Sequence, residues 1–487
     1  MFSTFSDGDK PNLRTLLFVA FVLLSVSLIS VLTITSLTSA FAFALAAPIA
    51  VIILIFVFRD PRLGFCLYLI YCFMLPGIMR NLGISSLGPG MEIILGVTWL
   101  SILVQRKEYH WENLSNDYMA LILVWFIISV FQVVNPTDAS IKGWLAEFRF
   151  TALNWIMIAP LAFVLFNRKK DLNRFFLAIF SLSLLASLYA IKQYLFGVSE
   201  MEQLWLNNGA NFTHVIFGRL RMFSFFTDAG QFGASQAHMA LMAIILSFGP
   251  FSRKIRFILV LLSAIFLIGM LISGTRGAFF TLMSGGMVWL LLTKNFKTLF
   301  IGTIMVVGFV VFLKYTSIGS SSYQIERLRT ALDFNDLSFQ ARLENQKKLA
   351  ELMEDLPFGG GLGVSGANGT LYNSSNPLAS IPPDSYWVKI WVMYGVVGLV
   401  IWFSIICYII GKCCGISWNL RDEKLRVKII ALTAGTVGLF VSSYGNEVMN
   451  SVPSCIVLYL SWSYVVLSPA MDGKKEDEYV SLKQKDK

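Results

Sequence analysis

The chain has 487 residues, 56% hydrophobic and only 14% charged, with a formal net charge of +10 and a mean hydropathy of +0.67. A soluble globular protein carries roughly 45–50% apolar and about 25% charged residues. This composition leaves too little polar side chain to coat a soluble surface, which excludes soluble dinucleotide-binding, barrel and nucleic-acid-binding folds. Repeated apolar runs near the roughly 20-residue length that crosses bilayer hydrocarbon predict an all-α polytopic membrane protein.

Taken in chain order, the apolar runs give fourteen candidate spans, near 15–34, 39–58, 63–79, 91–104, 118–134, 151–167, 174–196, 225–248, 257–273, 277–293, 299–313, 387–411, 428–444 and 454–469. The first is followed at once by a second, so it reads as a retained helix and not a cleaved signal peptide. Alternate connections carry Arg59/Arg62, Arg106/Lys107, Arg168 to Arg174, Arg253 to Arg256 and Lys294/Lys297. The same side receives Lys10/Arg14, Lys412 to Lys428 and the lysine-rich tail. The positive-inside rule makes this side cytoplasmic, with both termini on it, and an even span count agrees. The organisation expected is therefore 1–313 as spans one to eleven, 314–386 as a large extracytoplasmic loop, 387–470 as the last three spans and 471–487 as a charged tail.

The loop opens in Ser- and Gly-rich sequence. Phe339 to Leu356 then reads as an amphipathic helix with Leu343, Leu349, Leu352, Met353 and Leu356 on its apolar face. Pro357 and Gly359-Gly360-Gly361-Leu362-Gly363 end it. A flexible stretch is expected from Gly366 to Ser380, ahead of Pro382-Pro383. The six cysteines lie in apolar runs or side by side, without the spacing of a metal site.

Seven basic residues outside the loop fall on the extracytoplasmic side, against the topology rule: Arg80, Lys142, Arg149, Lys192, Arg219, Arg221 and Arg276. Headgroup contact or snorkelling accounts for Arg80, Lys142 and Lys192. Arg276, in Ser273-Gly274-Thr275-Arg276-Gly277-Ala278, is pinned between two apolar runs. A continuous helix there would be far longer than a bilayer is thick, so the chain turns near Gly274 and Gly277. A guanidinium near hydrocarbon needs a cavity or a partner, and its planar fork suits phosphate. Anion binding and a structural ion pair are the two readings. Arg219 and Arg221 are a second candidate pair, either loop residues at headgroup level or half of a pyrophosphate clamp. In the span that follows, Asp228, Gln231, Gln236 and His238 need internal partners, and His238 reads as a hydrogen-bonded core histidine. His214 reads as a loop residue open to solvent. Asp384, where the loop returns to the membrane, serves either as a general base for a sugar hydroxyl or as a helix N-cap.

These motifs resemble the O-antigen ligase and O-antigen polymerase family. Ser-Gly-Thr-Arg-Gly-Ala at 273–278 resembles its Ser-x-Ser/Thr-Arg-Gly-Ala signature, and Arg221 with Phe226, Asp228, Phe232 and Gly233 resembles the element before it. Arg342 and the Asp355 to Gly363 turn resemble the large-loop helix and its Pro-x-Phe-Gly-x-Gly-x-Gly turn. Asp384-Ser385-Tyr386 with Tyr394 to Gly398 resembles the return to the membrane. The match covers roughly 215–400 in register. The resemblance implies a GT-C-like, metal-independent glycosyltransferase without cofactor in the bacterial inner membrane, its active site facing the periplasm. The donor is a glycan on undecaprenyl pyrophosphate, and the acceptor is a second lipid-linked glycan or lipid A core. The candidate site residues are Arg219, Arg221 and Arg276 for pyrophosphate binding, Arg276 and Asp384 for catalysis, and Arg342, Gly361 and Gly363 for loop positioning, with the identity of any base left open by the resemblance. A chain-length regulator is a candidate partner, and no nucleic acid is expected. Ligases of the family typically carry a histidine where this chain has Asp384. That departure favours a polymerase of O-antigen, capsule or exopolysaccharide repeat units over a ligase. Two other classes compete, a lipid-linked saccharide flippase and a scaffolding subunit. A flippase needs charge near mid-membrane and no folded outer loop, and a scaffold leaves Arg276 unexplained.

Overall fold

The computed structural model describes residues 54–83, 87–105, 109–137, 139–216, 218–319, 323–333 and 335–472. The expected span at 15–34, most of that at 39–58 and the charged tail lie outside these residues. The protein is an all-α, multi-pass membrane protein. Among the described residues thirteen helices carry the fold: α1 (Pro61–Leu82), α2 (Gly90–Val104), α3 (Asp117–Phe131), α4 (Ile141–Leu165), α5 (Lys169–Phe196), α6 (Ala229–Ser247), α7 (Arg253–Ile272), α8 (Gly277–Leu292), α9 (Phe296–Tyr315), α10 (Leu337–Leu352), α11 (Tyr386–Asn419), α12 (Glu423–Ser442) and α13 (Ser454–Asp472). Among the described residues nine helices are long and apolar enough to cross a membrane, while α2 and α8 are shorter apolar helices. A two-stranded ribbon pairs Val215 and Ile216 with Leu220 and Arg219.

The chain forms two compact units. The first runs to Leu75 and resumes over Ile84–His110. In it Ser101 Oγ donates to the Phe58 carbonyl at 2.6 Å, and the Tyr71 hydroxyl to that of Leu87 at 2.6 Å.

The second unit, Pro76–Gly83 with Trp111–Lys487, holds every remaining helix. Its centre is α6, packed by α7, α8 and α12, with nearly every residue buried. A helix walled off by neighbours can carry polar groups that lipid would not accept, and Ser187 Oγ donates to Gln236 Oε1 at 2.8 Å. His238 is buried in this core, but its Nε2 has no partner among the described residues, where a hydrogen-bonded core histidine is expected. The opposite case is α9, apolar all round and almost wholly exposed, as a lipid-facing helix must be.

Helix α4 starts ten residues before the expected span and passes through a π-helical turn at Arg149–Leu153. Helix α11 runs eight residues beyond its expected end and is broken at Gly395, with φ 70° and ψ −175°. A break inside a span leaves backbone groups that must be satisfied within the protein, and the turn after α10 supplies the partners. Gly360 and Gly361 N–H donate to the Val392 and Met393 carbonyls at 2.8 and 3.1 Å, and Val397 N–H donates to the Pro357 carbonyl at 3.2 Å. The glycine turn is thus bolted to the kink in α11.

Three local expectations change. Of the five apolar positions on α10 and the turn after it, only Leu349 and Met353 are buried, and Leu352 is exposed. The stretch expected to be flexible contains a helix over Gly366–Tyr372 and a 3₁₀ turn over Pro377–Ser380. Asn373 ties it down, donating from Nδ2 to the Gly363 carbonyl at 2.7 Å and accepting from Ser140 N–H at 2.8 Å.

Candidate functional site

The tight turn between α7 and α8 is where expected. Helix α7 ends at Ile272, Gly274 takes φ 59°, and Arg276 is the residue before α8. The turn borders a cavity of about 710 Å³ within the second unit. Its walls also come from the 211–228 segment, the helix Tyr323–Arg329, α10, the helix at 366–372, the start of α11 and the chain just after α12.

Four arginines line this cavity: Arg221, Arg276, Arg327 and Arg342. Arg221 is braced on three sides. Its Nε donates to the Ser273 carbonyl at 3.1 Å, Nη1 to the Thr213 carbonyl at 3.2 Å and Nη2 to Thr275 Oγ1 at 2.9 Å. Arg276 Nη1 pairs with Asp336 Oδ1 at 2.6 Å and donates to the Thr330 carbonyl at 3.3 Å. Arg327 Nε donates to the Gly274 carbonyl at 3.4 Å, and Arg342 Nη2 to that of Gly445 at 3.1 Å. Burial lowers the pKa of Arg221, against Asp228, and Arg327 and Arg276 lower it further. Burial first and Arg276 second lower Arg327. Arg342 is lowered by burial, opposed by Asp384, and again by Arg276. These are crowded cations in a partly desolvated site, an arrangement that a bound anion relieves.

Asp384 lines the same cavity, with φ 51°, and its Oδ2 accepts from Asn345 Nδ2 at 3.3 Å. It does not cap α11. Ser385 does, its Oγ accepting from Val388 N–H at 3.4 Å. The Asp carboxylate is thereby left to the cavity.

Arg219 is not in the cavity wall. It is exposed at the end of the ribbon, its guanidinium 5.2 Å from the Tyr323 ring centroid, whereas Arg221, just past the ribbon, is drawn to the Ser273–Thr275 turn by its own hydrogen bonds. Gly361 and Gly363, with φ 89° and 78°, do not line the cavity and lie in the turn that docks on α11. At Gly363 a Cβ would run into the backbone of Gly143.

Arg80 does not reach for headgroups. It is buried between the Trp205 and Phe223 rings, 5.0 and 4.7 Å from their centroids, and donates to the carbonyls of Ser224 and Phe226. It holds the strand that carries Arg221. Lys142 and Lys192 stay at the surface, Lys192 donating to the Gly197 carbonyl at 3.1 Å. His214 is buried against Trp205 and Phe223, not open to solvent, and burial lowers its pKa. Its carbonyl accepts from Arg221 N–H at 2.8 Å.

The sequence reading missed Arg327 and a buried ion triad. Lys389, in the first turn of α11, places Nζ 2.9 Å from Glu147 Oε1 and 2.8 Å from Glu447 Oε2. Lys389 and Glu447 line the cavity, and Asn368 Nδ2 donates to Glu147 Oε2 at 2.7 Å. The available signal was a lysine three residues into an apolar span, where an ionisable group implies a partner.

No curated protein matches the chain. Residues 257–403 match the family model described as O-Antigen ligase, a segment running from α7 through the Arg276 turn and α10 into α11.

Proposed function

We propose that the protein is a glycosyltransferase that polymerises glycan repeat units carried on undecaprenyl pyrophosphate, at the outer face of the bacterial inner membrane. The observation that carries this reading is the convergence of Arg221, Arg276, Arg327 and Arg342 on one cavity beside the carboxylate of Asp384. In the proposed reaction the guanidinium forks hold the diphosphate and stabilise the charge that develops on it. The acceptor hydroxyl oxygen bonds to the anomeric carbon as the bond from that carbon to the diphosphate oxygen breaks. The hydroxyl proton passes to Asp384, and the carrier leaves as its diphosphate, with inversion at the anomeric carbon. The topology proposed with it has fourteen spans in a GT-C-like arrangement, both termini in the cytoplasm, and 314–386 as a periplasmic loop roofing the cavity.

The ligase reading draws on the description of the matched family, and an acidic residue where ligases typically carry a histidine favours polymerisation. Purified protein incubated with lipid-linked repeat units alone separates them. Lengthened products without lipid A core support the polymerase. Transfer only when core is supplied replaces it with the ligase, and neither product with either acceptor removes the glycosyltransferase reading.

A further inference from the structure

Part of the cavity wall is formed by Asn446 and Glu447, which follow α12, with Asn446 beside Gly230 and Glu447 against Lys389 and the helix that starts at Gly366. Lys389 is shared between two carboxylates, so the triad it forms with Glu147 and Glu447 carries one excess negative charge. Glu147 is spent on Lys389 and Asn368. Glu447 is not. Its Oε2 takes the Lys389 ammonium at 2.8 Å, while Oε1 accepts no hydrogen bond among the described residues. Gly366, at φ 68°, leaves that oxygen open: a Cβ there would lie 3.4 Å from Glu447 Oε1 and 3.5 Å from Lys389 Nζ. Beside it, Asn446 accepts from the Glu447 N–H at 2.8 Å through Oδ1, and its Nδ2 donates no hydrogen bond among the described residues. Two buried oxygens adjoining this network, Ser365 Oγ and Asn450 Oδ1, also make no hydrogen bond among the described residues. Buried polar groups are nearly always satisfied, so such a cluster points to a polar occupant.

A free carboxylate oxygen and a free amide N–H on consecutive residues match neighbouring hydroxyls of a sugar ring, one donating and one accepting. An unpaired carboxylate oxygen repels an anionic group placed directly against it, whatever the arginines elsewhere in the wall attract. We infer that Asn446 and Glu447 form the acceptor subsite, which binds the vicinal hydroxyls of an uncharged sugar and rejects one carrying a carboxylate or phosphate near the attacking hydroxyl. The subsite lies next to the donor end, because Arg342 donates to the carbonyl of Gly445, one residue before Asn446. The inference rests on the glycosyltransferase reading and adds the charge class of its acceptor.

The test uses the full chain in detergent, with saturation-transfer NMR against two probes: a neutral methyl hexopyranoside and the hexuronate of the same ring. Binding of undecaprenyl diphosphate is measured in parallel. The wild type is expected to prefer the neutral glycoside by at least about tenfold, and Glu447→Gln to reduce that preference about tenfold by removing the repelling charge. Asn446→Ala is expected to weaken the neutral glycoside about fivefold and leave the preference in place, the loss of one uncharged hydrogen bond. A wild type that favours the hexuronate, or a preference unmoved by Glu447→Gln while undecaprenyl diphosphate still binds, overturns the acceptor subsite alone. Failure of the wild type to bind undecaprenyl diphosphate overturns the glycosyltransferase reading, and the subsite falls with it.

Discussion

Asp336 occupies the arginine that the proposed donor needs. Its Oδ1 lies 2.6 Å from Arg276 Nη1, with only 13% and 17% of the two side chains exposed. The same oxygen caps α10, accepting from Phe339 N–H at 3.1 Å. Asp336→Asn separates these roles, because asparagine caps a helix as well as aspartate does but carries no charge. A hydrogen bond to a charged group is worth about 1.5–3 kcal/mol and a neutral one about 0.5–1.5. The substitution therefore removes about 1–2 kcal/mol of competition, or about 5–30-fold in affinity. Titration of undecaprenyl diphosphate into wild type and Asp336→Asn by calorimetry should show the variant binding tighter by that factor, with a thermal midpoint lowered by the lost ion pair but the helix cap retained. Burial alone would raise the Asp336 carboxyl, but the hydrogen bond and charge of Arg276, with the Phe339 and Ser338 N–H groups, hold it below its ordinary 3.8. Between these values the unfolded chain binds more protons, so the stability the pair contributes rises with pH there and is lost as pH falls below about 3.8. The affinity ratio should accordingly be flat between about pH 6 and 8. Equal or weaker diphosphate binding by Asp336→Asn refutes the reasoning, since Asp336 would then be orienting Arg276 and not competing for it.

Arg276→Ala should abolish long-chain glycan, read by gel profile, with the protein still inserted and folded. Arg276→Lys should restore it only in part, because an ammonium cannot form the bidentate fork. Arg221→Ala should also lower the thermal midpoint, since it strips hydrogen bonds from Ser273, Thr213 and Thr275; an unchanged midpoint would show that the brace is idle. Lys389→Met leaves two carboxylates facing one another in a buried setting and should cost about 3–5 kcal/mol, measured as a fall in unfolding midpoint that Lys389→Arg largely avoids. Gly363→Ala forces a left-handed backbone on a residue whose Cβ meets the Gly143 backbone. It should cost at least about 2 kcal/mol and detach the glycine turn, seen as faster proteolysis between α10 and α11.

The site was legible where local chemistry leaves few options. Arg276 between two apolar runs dictates a turn, and the structure has that turn at Gly274. Arg342 and Asp384 were named on sequence and both reach the cavity. Arg327 and Glu447 carry no such mark, since one is an ordinary arginine in a polar loop and the other follows a span in a short polar connection. Arg219 misled because a sequence shows two nearby arginines but not that only Arg221 finds hydrogen-bond acceptors on the Ser273–Thr275 turn. Arg80 misled for a related reason: a basic residue near a span end looks alike whether it meets headgroups or a pair of aromatic rings.

By itself the sequence determined that this chain is a helical membrane protein, roughly where its apolar runs begin and end, and that a folded segment interrupts them before α11. Those properties follow from transfer free energies summed over consecutive residues, which need no knowledge of distant partners. Tertiary structure alone decided which charges share a cavity. It paired Arg276 with Asp336, joined Lys389 to Glu147 and Glu447, and let the loop's glycine turn satisfy the broken backbone of α11 at Gly395. Each of these joins residues tens or hundreds of positions apart. Burial in a low-dielectric interior makes such pairings decisive, and no local pattern in the chain encodes which partner will arrive.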